Sequence, residues 1–342
     1  MFFALMWLEF WEEPMQVLKN PFRGQGISVG LESAPSPSVN ASAPRALLDR
    51  CPVHSATPLV NALGLHIKDE RGRMGLGSFK ALGAAYVIAH EAQLGSLDGR
   101  TYVTASAGNH GMSVAAGAKV FGAKAVIYLS KTVPSEFADR LREKGAEVVT
   151  EGDDYEASMA GALKAAEVNG WTLLSDSSWD GYFDLPHRLM EGYLAMAAEC
   201  TEQMEQPTHI FLQAGVGGLA GACAALFRDV WGDEPKIIVV EPEFAPAIYD
   251  SIQAGAFMTS TGPVSDMGRL DCKEASLIAL KGLSRDADTC VLISEEEAAA
   301  VLPKLADLGL ASSTSGAAGI AAALLSDLPS DAKVLCILSE GA

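Results

Sequence analysis

From Leu65 onward, short runs of β-forming residues alternate with stretches of helical pattern, and this alternation constrains the fold more than any other property of the chain. The runs LHIKDE, TYVTAS, KAVIYLS, AEVVTEG, WTLLSD, HIFLQA, KIIVVEP, CVLIS and KVLCILSEG predict strands. Between them, 77–95, NHGMSVAAGAKVFG, PSEFADRLREKG, YEASMAGALKAAEVNG, 185–204, GGLAGACAALFRDVWG, EEEAAAVLPKLADLG and SGAAGIAAALL predict helices. Strand and helix in strict turn imply an α/β protein, parallel sheets covered by helices on both faces. At 342 residues the chain suits one large or two medium domains. Residues 31–58, rich in Pro, Ser and Ala, read as an extended lead-in.

Charge narrows the function. With 43 acids against 25 bases the net charge is -18, which repels phosphate backbones and anionic lipid. The densest basic cluster, Arg140, Arg142 and Lys144, reads as a solvated helix face, so neither nucleic acid nor membrane is expected as a partner. Six cysteines lie scattered without a CxxC pair, which argues against a zinc site or disulfide scaffold and suits a reducing cytoplasm. The apolar start MFFALMWLEFW is broken by Glu9, Glu12 and Glu13 and reads as no signal peptide; a contact surface for a partner subunit and an irregular extension stay open.

Open α/β sheets bind ligands at the carboxyl ends of their strands. Four such loops carry chemistry-bearing residues: Ser106 to Gly111, Asp176 to Asp184, Gly215 to Gly221, and Ser339 to Gly341. A fifth feature is Lys80, the one charge in GLGSFKALGAAYVIA, with no acid nearby in sequence. Desolvation there is expected to lower its pKa and make it a nucleophile toward a carbonyl; a lysine snorkelling from a helix start is the plain alternative. Gly215 to Ala220 also satisfies the dinucleotide fingerprint, with Glu241 as a ribose ligand, so an NAD-dependent oxidoreductase is a rival reading. Asp180 and Asp184 read as helix-start residues that cap free amides, and Cys272 and Cys290 as thiols that could approach each other.

Taken in order, HIKDERGRMGLGSFKALGAAYVI, SAGNHG, KAVIYLS, SDSSWDGYFDLP, PTHIFLQAGVGGLAG, IIVVEP, STSGAAGI and LSEG resemble the fold-type II pyridoxal-phosphate enzymes, most closely the diaminopropionate ammonia-lyases. The likeness runs from about Ser55 to the last residue. It implies a tryptophan synthase β-like architecture: a large cofactor-binding domain from 1–83 and 199–342, and a small mobile domain from 84–198. It implies that Lys80 holds pyridoxal 5'-phosphate covalently, with Phe79 beside the ring and Asn109 on the ring 3-hydroxyl. Gly215, Val216, Gly217, Gly218 and Leu219 would cradle the phosphate, and Ser339 would face the pyridine nitrogen. Ser106, Ala107, Gly108 and His110, in the SAGNH loop, would hold the substrate carboxylate, His110 as a loop-shaping donor. A serine opposite the ring nitrogen does not force its protonation, which favours loss of a β-substituent over transamination. Lys80 would take the Cα proton, and Asp176, its pKa raised by burial, would protonate the leaving group. The implied partners are a small amino-acid substrate and a second copy of the chain, in the cytoplasm.

The chain departs from the lyases at two informative positions. Ala107 stands where they have an aspartate, implied to take the Cα proton of D-substrates, so an L-preference is expected. Thr314 stands where they have an acid, which keeps dehydration of threonine, serine or 3-hydroxyaspartate open as an alternative. Ala107 and the end at Ala342 also leave open a cofactor-binding protein without efficient turnover.

Overall fold

The computed structural model describes residues 15–342; the aromatic start of the chain lies outside these. The strands in chain order are β1 (Gln16–Lys19), β2 (Leu59–Ala62), β3 (Leu65–Asp69), β4 (Thr101–Ala105), β5 (Lys124–Leu129), β6 (Glu147–Thr150), β7 (Thr172–Leu173), β8 (His209–Gln213), β9 (Lys236–Pro242), β10 (Thr289–Ile293) and β11 (Val334–Leu338). They form a seven-stranded sheet in the order β1-β10-β9-β8-β11-β3-β2 and a four-stranded sheet in the order β6-β5-β4-β7. Every pairing is parallel except β1 with β10 and β2 with β3, so the alternating sequence has folded as an α/β protein with antiparallel strands only at the edges of the large sheet. The small sheet comes wholly from the middle of the chain, whereas the large one draws on both ends.

Central strands are buried runs, as expected where helices cover both faces: β4, β8 and β11 are built from TYVTA, HIFLQ and VLCIL, with only His209 at the start of β8 partly exposed. Pro303 splits the single helix expected over EEEAAAVLPKLADLG into Glu295–Ala300 and Leu302–Asp307, since a proline removes an amide donor and crowds the preceding turn. The lead-in is less featureless than expected. It holds the helix Ser42–Leu48 and anchors Leu31, Ala34 and Leu48 in the main core.

One buried polar cluster fixes the approach to Lys80. Glu199, on the helix Asp184–Gln203, accepts from Lys68 Nζ at 2.6 Å, from Arg73 Nη2 at 2.7 Å and Nη1 at 2.9 Å, and from the Thr57 amide at 3.1 Å. Arg73 also donates to Glu70 at 2.7 and 2.8 Å. Lys68 and Arg73 are fully buried. This neutral set of two acids and two bases ties β3, the 3-10 turn Glu70–Gly75 and the long helix together just before the chain enters the helix Lys80–Leu94.

Two sequence expectations fail here. Asp180 accepts from Ser33 Oγ at 2.9 Å rather than from a helix amide, and Asp184 is the first residue of its helix without a side-chain cap. Glu241, the expected ribose ligand, is already engaged. Its two carboxylate oxygens accept the Ile248 and Tyr249 amides, each at 2.8 Å, at the start of the helix Ala247–Ala254, and burial still pushes its pKa up to about 8. A carboxylate spent on those amides is not free to read a ribose. All six cysteines are free thiols.

Candidate active site

Lys80 opens its helix, and its ammonium donates to Asp176 Oδ2, in the loop after β7. The partner that sequence proximity did not reveal is thus 96 residues away. Both side chains are about one-fifth exposed, in a cleft and not in the core. Burial pushes the Lys80 pKa down, as expected, but the charge of Asp176 and its hydrogen bond outweigh burial and leave the pKa above the ordinary lysine value. The expectation of a depressed lysine is therefore corrected for the free ammonium. Asp176 is corrected in the same way: burial pushes its carboxyl up, but the charge of the Lys80 ammonium and its hydrogen bond hold it well below the usual carboxylate range.

The other loops converge on this pair. Phe79 sits beneath the lysine, its ring centroid 5.3 Å from Nζ, and packs edge-on against Tyr193 at 4.9 Å. Phe79 N donates to Ser339 O at 3.1 Å, which brings the loop after β11 alongside. Asn109 begins the helix Asn109–Val120 and donates through Nδ2 to Glu340 Oε2 at 2.5 Å. In the same loop, Ser106 Oγ accepts the Gly108 amide at 3.3 Å, and Ala107 is half-buried. A side chain at Gly111 would meet Ser106 O at 2.3 Å, so this turn closes only around glycine. His110 is buried with Nε2 2.8 Å from Leu174 O, which fixes the proton on Nε2; burial lowers its pKa, and it is a neutral donor bracing the Asp176 loop.

The glycine loop stands at the start of the helix Gly218–Trp231, with Gly217 at φ 92°, a left-handed conformation that glycine adopts freely. A Cβ on Gly217 would stand 2.8 Å from Ile248 Cδ1, and one on Gly215 would stand 3.0 Å from Leu270 Cα. Close packing therefore demands these two glycines, while Gly218, with ordinary clearance of 3.6 Å or more, faces the Tyr193 ring and the Asp176 backbone. Helix-start amides here suit a phosphate.

A scan against protein families matches residues 47–340 to the pyridoxal-phosphate dependent enzymes. The chain belongs to this family. Its relatives include a diaminopropionate ammonia-lyase of Salmonella typhimurium, 34% identical over 72% of this chain and 68% of that protein. An L-threonine ammonia-lyase of Thermotoga maritima is 28% identical over 78% of this chain and 64% of that protein. Among solved structures, the diaminopropionate ammonia-lyase of Escherichia coli superposes with a TM-score of 0.85 at 29% identity, covering 96% of this chain and 94% of that one.

The residues present fit pyridoxal phosphate. Ser78 Oγ and Tyr193 Oη are buried and, among the described residues, without hydrogen-bond partners. Ser78 directly precedes Phe79 and Lys80. The Tyr193 ring lies between Gly83, one turn after Lys80, and Gly218 at the glycine loop. Two such hydroxyls in a dry wall between an amine and a set of helix-start amides suit a polar, phosphorylated ring. Sequence reasoning missed Tyr193, which hides in a long apolar helix pattern, and Arg269, which lies in an irregular loop; it singled out the loop holding Glu340, beside Ser339 in LSEG, but gave Glu340 no role.

Proposed function

We propose that this pyridoxal-phosphate dependent enzyme is an ammonia-lyase that carries out α,β-elimination on a small L-amino acid of the 2,3-diaminopropionate type. The observation that carries the reading is the Lys80–Asp176 pair at the meeting of the four loops. Bound pyridoxal phosphate would supply an aldehyde for the Lys80 amine and a conjugated ring to accept the electron pair left at Cα. Lys80, as neutral amine, takes the Cα proton, and Asp176 hands a proton to the departing β-substituent. Ser106, Ala107, Gly108 and His110 would hold the substrate carboxylate, Asn109 the ring 3-hydroxyl and Gly215 to Leu219 the phosphate, and the Ser339 hydroxyl would serve the ring nitrogen. Departure of the β-group leaves an enamine product that hydrolyses to a 2-oxo acid and ammonia. Residues 84–198 act as the mobile unit that excludes water from this chemistry. The family likeness supports a cytoplasmic homodimer.

A second reading has its own support. Thr314 stands where the lyases have an acid, and its hydroxyl donates to Asp266 O at 3.2 Å, so this position offers no carboxylate to a β-ammonium group. The test is an ammonia-release screen over both isomers of 2,3-diaminopropionate, serine, threonine and 3-hydroxyaspartate, alongside borohydride reduction and peptide mapping of the holoenzyme. Ammonia from diaminopropionate with Lys80 modified is the expected result. Ammonia only from hydroxy amino acids favours the second reading, and an unmodified Lys80 overturns both.

A further inference from the structure

Glu340 follows Ser339, yet its side chain meets a residue that comes from the small sheet. Its backbone is pinned on both flanks: residues 78 and 340 form an isolated antiparallel bridge, Gly341 N donates to Gly77 O at 3.0 Å, and Ser312 Oγ donates to Glu340 O at 2.6 Å. A Cβ on Gly316 would stand 2.7 Å from Glu340 Cγ, so the side chain leaves its loop across a position that only glycine can fill. From there it reaches Asn109, at the start of the helix after β4, and links the loop after β11 of the large sheet to the loop after β4 of the small one.

Only donors converge on this carboxylate. Asn109 Nδ2 stands 2.5 Å from Oε2. On Oε1 the Ser313 hydroxyl donates, its own oxygen being taken by the Gly316 amide at 3.0 Å, and Arg269 Nη1 stands 3.1 Å away. The Glu340 side chain is 5% exposed; burial pushes its pKa up, and Arg269 is first among the groups that pull it back toward the ionised form. An ionised carboxylate accepts and never donates. It therefore decides the orientation of the Asn109 amide, which must turn its NH2 group toward Oε2. One Nδ2 hydrogen is engaged in this way. The second, with Oδ1, has no partner among the described residues, and Asn109 is only half-buried.

We infer that Glu340 is a positioning residue for the cofactor: with Arg269 as its counter-ion, it locks the Asn109 amide so that an N–H, and not the carbonyl oxygen, faces the 3-oxygen of the pyridoxal ring and holds it as an oxyanion. The inference rests on the proposed function only in placing Asn109 against that oxygen. A glutamine at 340 offers Asn109 a donor as well as an acceptor, and the amide can then turn over.

The test is a double-mutant cycle in cofactor binding, read without turnover. Pyridoxal phosphate is titrated into apoprotein of wild type, Glu340→Gln, Asn109→Ala and the double variant, followed by protein fluorescence and by the cofactor absorption band. Glu340→Gln should bind roughly 3- to 10-fold more weakly, the loss of one hydrogen bond. Its long-wavelength band, that of the ring oxyanion, should lose intensity to the shorter-wavelength band of the neutral hydroxyl. In the Asn109→Ala background the same substitution should change affinity by less than about twofold and leave the spectrum unmoved. A folded Glu340→Gln protein with wild-type affinity and spectrum overturns the inference, and so do equal effects in the two backgrounds, which would make Glu340 a support of the fold alone. If Glu340→Gln does not fold, Arg269→Gln, at a side chain 37% exposed, takes its place in the cycle. It should shift the band in the same sense, and only where Asn109 is present; no shift, or a shift that persists without Asn109, overturns the inference. Asn109→Ala with wild-type affinity and spectrum refutes the placement of Asn109 at the ring and the inference with it, whereas a loss in Asn109→Ala without one in Glu340→Gln refutes the inference alone.

Discussion

Replacing Glu199 by Gln should destabilise the protein by about 3–5 kcal/mol, although the side chain is nearly isosteric and lies outside the cleft. The wild-type cluster balances Glu70 and Glu199 against Lys68 and Arg73, with the bases fully buried. The substitution leaves one positive charge uncompensated in the interior, and it also turns amide hydrogens toward a site where Lys68, Arg73 and the Thr57 amide are all donors. An unfolding entropy of ~2.1 cal/mol/K per residue gives roughly 0.7 kcal/mol/K for a chain of this size, so the melting temperature should fall by about 4–7 °C. Glu202→Gln, which removes the exposed bridge to Arg45, is the matched control and should shift it by about 1 °C or less. Acid dependence supplies a second readout. Burial raises the Glu199 pKa, but Arg73 and Lys68 prevail and hold it below the ordinary glutamate value. Its stabilisation is therefore complete above the unfolded pKa near ~4.3 and is lost as pH falls through the lower folded pKa. Glu199→Gln should lack that component of acid unfolding. Differential scanning calorimetry of the three proteins at pH 7 and in an acid series measures both effects. A Glu199→Gln melting temperature within 1 °C of wild type would refute the claim that this is a tightly coupled buried charge set.

Other expectations concern the cleft. Because Asp176 holds the Lys80 pKa above its ordinary value, the rate of cofactor capture by apoprotein should climb about tenfold per pH unit with no plateau up to ~10.4; Asp176→Asn removes the main opposition to burial, and stopped-flow absorbance should show the plateau at lower pH. The same pair stabilises the apoprotein fully between the unfolded pKa values, ~3.9 for the acid and ~10.4 for the base. That contribution is lost as pH falls toward the depressed Asp176 pKa or rises toward the elevated Lys80 pKa. Ala107 has no group to accept a proton, so wild type should turn over L-diaminopropionate and leave the D-isomer nearly untouched; equal rates would defeat this, and Ala107→Asp should raise D-turnover. Gly217→Ala meets Ile248 Cδ1 at 2.8 Å in a left-handed backbone conformation, so it should cost about 2–4 kcal/mol and weaken cofactor binding in a fluorescence titration.

What the sequence disclosed and what it hid differ by range. Buried strands such as KIIVVEP and HIFLQA, and helix starts at Asn109 and Gly218, are written locally in apolar runs and turn residues and were found where expected. The edge strands β1 and β2 and the helix Ser42–Leu48 are short and half-polar, and their conformation depends on what they pack against. The same limit governs the site. Lys80 was conspicuous because its neighbours carry no charge, but the sign of its pKa shift turned on Asp176, whose distance no local pattern encodes. Arg269 sits in GRLDC, where nothing is periodic, and only the fold brings Gly108 and Gly215 to either side of it.

The Lys80–Asp176 pair also orders the proton transfers of the proposed reaction. While the ammonium is present, its charge holds the carboxyl ionised against the pull of burial. To act as base, Lys80 must first be neutral, and at that moment Asp176 loses its main cationic partner. Burial, the largest single influence on the carboxyl, then favours the protonated form. Once Lys80 takes the Cα proton it becomes a cation again, and the same electrostatic coupling drives Asp176 to give its proton up, toward the departing β-substituent. The proton gained at nitrogen and the proton lost at oxygen are thus linked through one contact, and a neutral carboxyl is available only between the two events. Asp176→Asn keeps the shape and removes the acid, so kcat should fall by roughly 10²–10⁴ for an amine leaving group. A substrate whose β-substituent leaves without protonation, such as a β-chloro amino acid, should be spared most of that loss, and an equal loss for both leaving groups would show that Asp176 serves Lys80 alone.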